Sequence, residues 1–277
     1  MLVTLLLAAG LTMPSAPVCD RAELPACVAS LPPSLRRSFP SLWGQSAEQQ
    51  AAHLSRQLDG QGAVTLLLEQ QALIVTDRRR IAQPHIVLLD GRVIEWPSVH
   101  SPSLALAHEQ GHLLPRSLGQ AFRAPHWPSP WADEVVADLH LLWQSARRGE
   151  LDMAWRLYHL RNINLIQSAP DWSHWSVPVL YPWLSQPRRL QRAAEASFES
   201  MLLESRFTLS DLNHYRMLGQ RQFGGSPHSS GFPYVPPPLV QRWWRMLEPT
   251  LSLLLAADYP SYRQRVESMM VKSANSR

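Results

Sequence analysis

A chain of 277 residues that is 45% hydrophobic and 17% charged can bury a substantial core and is too apolar for wholesale disorder. Its formal charge of +4 is mildly basic, and apart from Arg78, Arg79 and Arg80 the arginines are spread along the chain, so nucleic acid is not an implied partner. Length alone allows one domain or two; we expect a leader over residues 1–18 and a single domain over 19–277.

The apolar run from Leu2 to Leu11, followed by small residues and prolines, has the form of a signal-peptide core and cleavage zone. It is short for a bilayer span, so the expectation is a periplasmic or secreted protein with no stable membrane span once the leader is removed. A buried N-terminal helix of a cytosolic protein is the alternative. Cys19 and Cys27 are the only cysteines. They could close a small loop across Pro25 in an oxidising compartment, or remain two unpaired buried thiols. Two cysteines supply no complete zinc site.

Ser46 to Leu58 has a helical pattern, and Ala63 to Thr76 alternates apolar and polar residues as a strand or two would. His85 to Trp96 holds two β-rich runs around Asp90-Gly91, a hairpin signal. Two helix starts follow, Ser101-Pro102 and Ser129-Pro130, each pairing an N-capping serine with proline at the first helical position. The link between them, Pro115 to Pro128, is long enough for the second helix to fold back beside the first. Beyond it, helices are expected at Leu151 to Arg161, Arg188 to Glu204, Ser210 to Gln220, Leu239 to Leu247 and Tyr262 to Val271, interrupted by the Gly/Pro-rich loop F-G-G-S-P-H-S-S-G-F-P-Y-V-P-P-P. This is an α+β chain: a small sheet and hairpin with the motif helices over about 60–148, then a mainly helical body over 149–277.

The first of the two capped helices carries A-H-E-Q-G-H-L. Residues four apart share a helix face, so His108 and His112 can direct two imidazoles at one ion, with the Glu109 carboxylate beside them. A third ligand is needed. The residues after His112, L-L-P-R-S-L, lack the glycine and third histidine that a metzincin would place there. The second helix instead offers E-V-V-A-D, in which Glu134 and Asp138 share a face: a glutamate ligand, with an aspartate one turn on to orient a ligand histidine.

Over roughly Ile86 to Trp143 the chain resembles the gluzincin zinc metallopeptidases, in a hairpin before the motif, the run H-E-Q-G-H, and E-x-x-A-D about twenty residues later. The resemblance implies Zn2+ bound by His108, His112 and Glu134, with Glu109 as general base and Asp138 as the partner that orients a ligand. It also implies a peptide or protein substrate held by the last strand of the hairpin. The implied reaction is hydrolysis of a peptide bond by a metal-activated water, with Glu109 passing the proton to the leaving amine. Where some gluzincins carry His-Pro-Pro, this chain has Pro236, so the donor to the oxyanion must come from elsewhere. The candidates are His214, Tyr215, His228 and Tyr234, of which His228 and Tyr234, in the Gly/Pro-rich loop, suit a site rim best.

Blander readings stand beside these. The two histidines could belong to an ordinary helix, and Glu134 and Asp138 to a solvated acidic first turn. His100, His126 and His140 read as structural, Asp133 lies off the Asp138 face, and Arg242 and Arg245 read as helix-surface charges. The alternative functions are a non-catalytic zinc-binding interaction or chaperone-like protein and a zinc hydrolase acting on a non-peptide amide. Cleavage specificity and oligomeric state are not legible in the sequence.

Overall fold

The computed structural model describes residues 16–38, 46–58, 61–68, 71–96, 101–114, 131–167, 172–205, 209–224 and 235–272. The leader core, the 115–128 link, the Ser129-Pro130 start, and His100, His126, His228 and Tyr234 lie outside these residues. The fold is α+β, with a small N-terminal sheet followed by a helical body.

The first described elements are strand β1 (Val18–Asp20) and helices α1 (Leu24–Ser30), α2 (Pro33–Arg37) and α3 (Ala47–Gln57). Helix α3 starts where Ser46 and Gln49 exchange side-chain and backbone hydrogen bonds, a capping box that satisfies two otherwise unpaired amides. The stretch read as a strand or two is two strands, β2 (Ala63–Leu68) and β3 (Gln71–Thr76). Strand β3 is central, parallel to β1 and antiparallel to β2. Among the described residues no strand pairs with the outer edge of β2. Leu24, Val28, Leu54, Leu58, Leu73 and Val75 fill a core between this sheet and its helices. Cys19 and Cys27 are joined in a disulfide that ties β1 to α1.

After a single turn, α4 (Arg78–Ile81), the expected hairpin forms from β4 (His85–Leu89) and β5 (Arg92–Trp96). It turns at Asp90 and Gly91, both with positive φ (55° and 72°), the backbone twist that a tight two-residue hairpin requires. Val87 and Leu89 point into the larger core.

That core belongs to the helical body. Helix α5 (Pro102–Gly111) is capped by Ser101, whose hydroxyl accepts from the Leu104 amide, as the serine-proline start predicts. Helix α6 (Trp131–Arg148) runs beside it, and α7 (Leu151–Gln167) returns along α6. The reversal passes through Gly149 at φ 72°, a conformation costly for other residues. Helices α8 (Val177–Leu184), α9 (Pro187–Glu195), α10 (Phe198–Glu204), α11 (Leu209–Phe223), α12 (Pro237–Leu255) and α13 (Tyr259–Lys272) complete the body. The single helix expected over Arg188 to Glu204 is two, because Ser197 caps a new helix by accepting from the Ser200 amide. Trp175, Trp183, Trp243, Trp244 and Tyr158 are fully buried in this core. No helix among the described residues is long and apolar enough to cross a membrane.

Candidate metal centre

Helix α5 touches both β2 and α6, so it lies where the sheet meets the helical body. A cavity of about 480 Å³ opens there, lined by β2 residues Ala63, Val64, Thr65 and Leu67 on one side and by α5, α6 and α7 on the other. The strand along the cavity is therefore β2; β5, which the resemblance assigned to the substrate, contributes no lining residue. The reason is topological: β4 and β5 form a separate sheet packed on α7, whereas β2 is, among the described residues, an edge strand of the sheet that α5 contacts.

His108, His112 and Glu134 converge in this cavity. The Nε2 atoms of the two histidines are 3.2 Å apart, His108 Nε2 is 3.3 Å from Glu134 Oε2, and His112 Nε2 is 3.6 Å from Glu134 Oε1. Ligands about 2.0–2.2 Å from a tetrahedral ion are separated by roughly 3.3–3.6 Å, and these spacings are close to that range, with one Glu134 oxygen beside each histidine. The group can hold a metal ion. His112 is the C-cap of α5 rather than an interior helical residue, and its amide bonds back to the Gln110 and Glu109 carbonyls. The motif thus ends the helix.

Asp138, with no exposed surface, lies one turn beyond Glu134 and holds His108 from behind: His108 Nδ1 is 2.7 Å from Asp138 Oδ1, which leaves Nε2 to face the cavity. The carboxylate is itself gripped. Arg161 donates to both its oxygens at 2.7 Å, and the Ser176 hydroxyl donates to Oδ2. The same guanidinium lies 3.2 Å from His108 Nδ1 and 3.5 Å from Glu134 Oε2.

This clustering sets the protonation of the metal-free site. Burial alone would lower the His108 pKa, but the Asp138 charge overrides it and raises the ring to about 10. His112 is lowered, by burial and then by the charge on His108. Burial would raise Glu134, yet bonding to His108 and the charges of His108 and Arg161 hold it near 2. Asp138 is pulled far below the carboxylate range against its own burial, chiefly by Arg161 and then His108. A metal entering the site must therefore displace a proton from His108.

Glu109 is buried and lines the cavity; Thr65 Oγ1 on β2 lies 2.7 Å from its Oε2. The oxyanion candidates fare differently. His214 is on α11 with Nδ1 2.8 Å from the Ser210 carbonyl oxygen, and Tyr215 is stacked against Trp243 in the core; neither lines the cavity. His228 and Tyr234 are outside the described residues. Of the bland readings, His140 is buried against Trp143 and Phe198, and Arg242 and Arg245 are exposed on α12. Asp133 lines the cavity beside Glu134.

Comparison with family models, with curated proteins and with solved structures finds no match for this chain. The assignment of the site therefore stands on its own geometry.

Sequence reasoning missed three residues of the cavity: Arg161, Thr65 and His174. Arg161 lies at the end of the stretch predicted as helix, and nothing in R-N-I-N marks a buried cation. His174 lies in W-S-H-W-S, where the flanking tryptophans are the one usable signal of an anchored loop.

Proposed function

We propose that this protein is an exported zinc metallopeptidase that hydrolyses peptide bonds in extended segments. The observation that carries the reading is the mutual spacing of the His108, His112 and Glu134 ligand atoms with a buried carboxylate, Glu109, on the same cavity. Two imidazoles and one carboxylate suit zinc and leave a coordination position open, as a catalytic site requires and a structural site normally does not. Zinc bound there would supply an activated water and polarise the scissile carbonyl. Glu109 accepts the proton of the attacking water and returns it to the leaving amine. Thr65 keeps one oxygen of that carboxylate fixed, and Asp138 keeps His108 presented through Nε2. The outer edge of β2, which pairs with no strand among the described residues, runs along the cavity and can hold an extended main chain by strand addition. Export is supported by the Leu2 to Leu11 run and the Cys19–Cys27 disulfide, a bond that persists in oxidising compartments.

The test is elemental analysis of the purified protein and Glu134→Ala after zinc loading, followed by assay of wild type and Glu109→Gln on labelled casein and a fluorogenic peptide library. The expected result is one zinc per chain, weakened in Glu134→Ala, and hydrolysis that Glu109→Gln abolishes while keeping its zinc. Absence of zinc, or equal hydrolysis by Glu109→Gln, would sink the reading. Stoichiometric zinc without hydrolysis of any peptide would instead favour the non-catalytic zinc-binding protein.

A further inference from the structure

The reading above leaves the carbonyl oxygen of the substrate without a protein donor as it becomes a tetrahedral anion, and among the described residues that line the cavity His174 is placed to serve. His174 lines the cavity between α7 and α8, with Nε2 3.6 Å from Glu134 Oε1. That oxygen is also 3.6 Å from His112 Nε2, so His174 flanks the ligand group one contact away, without being one of its three members. Its side chain is 37% exposed, whereas Glu134 is 15% exposed, which places His174 on the solvent side where a substrate would enter.

The loop that carries it is fixed at several points. Trp172 and Trp175 are buried on either side, and their rings meet edge to face at 5.1 Å. The Trp175 carbonyl accepts from the Trp131 indole at 2.9 Å, and Ser176 is tied to Asp138. Trp172 also packs so closely on α11 that a Cβ on Gly219 would lie 2.5 Å from its ring. His174 is thus the outward residue of a loop clamped to the same aspartate that orients His108. Its Nδ1 lies 2.9 Å from Ser173 Oγ. In the tautomer in which Ser173 donates to Nδ1, the proton is on Nε2 and faces the cavity.

We propose that His174 is a catalytic residue of this site: Nε2–H donates a hydrogen bond to the carbonyl oxygen of the scissile peptide as negative charge develops on it. No proton is transferred; the bond strengthens as the oxygen becomes anionic, which is the differential stabilisation that accelerates a reaction. The proposal rests on the peptidase reading.

The test uses binding to the zinc-loaded protein, so it does not depend on finding the natural substrate. Two probes are titrated: an N-phosphoryl dipeptide, whose tetrahedral anion imitates the developing oxyanion, and a mercaptoacyl peptide, which anchors through sulfur and carries no such oxygen. Loss of one preorganised donor of this kind costs on the order of 100-fold. His174→Ala is expected to weaken the phosphoryl probe by about that factor, with zinc content unchanged and the thiol probe within roughly threefold. His174→Gln, which keeps an N–H, recovers part of the loss. Equal effects on both probes, or no effect, would overturn the role of His174 and leave the peptidase reading intact. Loss of zinc from His174→Ala would also overturn it, by making the ring a ligand. A zinc-loaded wild type that binds neither probe, or a wild type that takes up no zinc, would remove both claims.

Discussion

Gly111 and Ala137 touch backbone to backbone: a Cβ added to Gly111 would lie 2.6 Å from Ala137 Cα and 2.8 Å from its carbonyl oxygen. The glycine of H-E-Q-G-H and the alanine of E-V-V-A-D are therefore a contact that lets α5 and α6 approach closely enough for their candidate ligands to meet. Gly111→Ala is expected to push the helices apart, with a loss of about 1–3 kcal/mol from overpacking and a fall in zinc affinity of tenfold or more. Because the obstacle is the backbone of residue 137, adding Ala137→Gly does not restore either property. Urea unfolding and zinc titration of the single and double variants measure both effects; rescue by Ala137→Gly would contradict the contact.

The Asp138 and Arg161 pair separates stability from ligand orientation. Asp138→Ala leaves a buried guanidinium without its carboxylate, and a loss of about 3–5 kcal/mol is expected. The double variant Asp138→Leu, Arg161→Met removes both charges and recovers most of that stability. Zinc affinity is not recovered, because His108 Nδ1 has lost the acceptor that holds its ring; a deficit of roughly 10- to 100-fold persists. Calorimetric titration that found wild-type affinity in the double variant would show that Asp138 is not the orienting group.

What the sequence disclosed and what it withheld divide along one physical line. Local chemistry was legible: the Ser101 cap, the Asp90-Gly91 turn, and the helix faces that place His108 with His112 and Glu134 with Asp138 all depend on residues within a few positions of one another. Contacts between distant segments were not. That β2 is an outer strand of the described sheet at the cavity depends on β3 pairing with β1, 56 residues earlier in sequence, and no local pattern encodes it. Arg161 is placed by the length of α7 and the reversal at Gly149, and His174 by tryptophans packed on α6 and α11.

Acid should destabilise the fold before the carboxylates titrate. Burial lowers His140 and His159 to about 4, so both rings are neutral in the fold and protonate near pH 6.5 in the unfolded chain. Stability from these sites is full above pH 6.5 and is lost as pH falls towards 4, at about 1 kcal/mol per site per pH unit. His85 and His112 are shifted the same way and add to the slope. His108, raised in the metal-free fold, acts with the opposite sign: its protonation stabilises the fold fully below pH 6.5 and less as pH rises above it, so it offsets part of the decline between pH 7 and 6.5 and adds nothing to the slope below. Urea melts of metal-free protein between pH 7 and pH 5 should show the decline. His140→Gln with His159→Gln should flatten it; an unchanged slope would place its origin elsewhere.

The disulfide adds a stability term confined to the N-terminal sheet. Closing the short loop between Cys19 and Cys27 is worth about 2–3 kcal/mol in the chain-entropy account. Reduction, or Cys19→Ser with Cys27→Ser, is expected to raise amide exchange in β1 and β3 while leaving α6 and α7 protected, because the two sets of residues belong to separate cores. Uniform loss of protection across both cores would show instead that they unfold as one unit.

Thr65 links that sheet to the chemistry. Its hydroxyl is 2.7 Å from Glu109 Oε2 and 3.0 Å from the Glu109 carbonyl oxygen, so the strand proposed to hold the substrate is bonded directly to the proposed base. Thr65→Val keeps the shape and the β-branch but removes the donor, freeing the carboxylate to rotate. Loss of a hydrogen bond to a charged group costs about 1.5–3 kcal/mol, so kcat on a fluorogenic peptide is expected to fall by roughly 10- to 100-fold. KM and zinc content should change little, since the hydrogen bonds of Thr65 go to Glu109 rather than to a candidate metal ligand. Thr65→Ser restores the hydroxyl and should restore most of kcat; a serine variant as slow as the valine would assign the effect to strand packing rather than to the bond with Glu109.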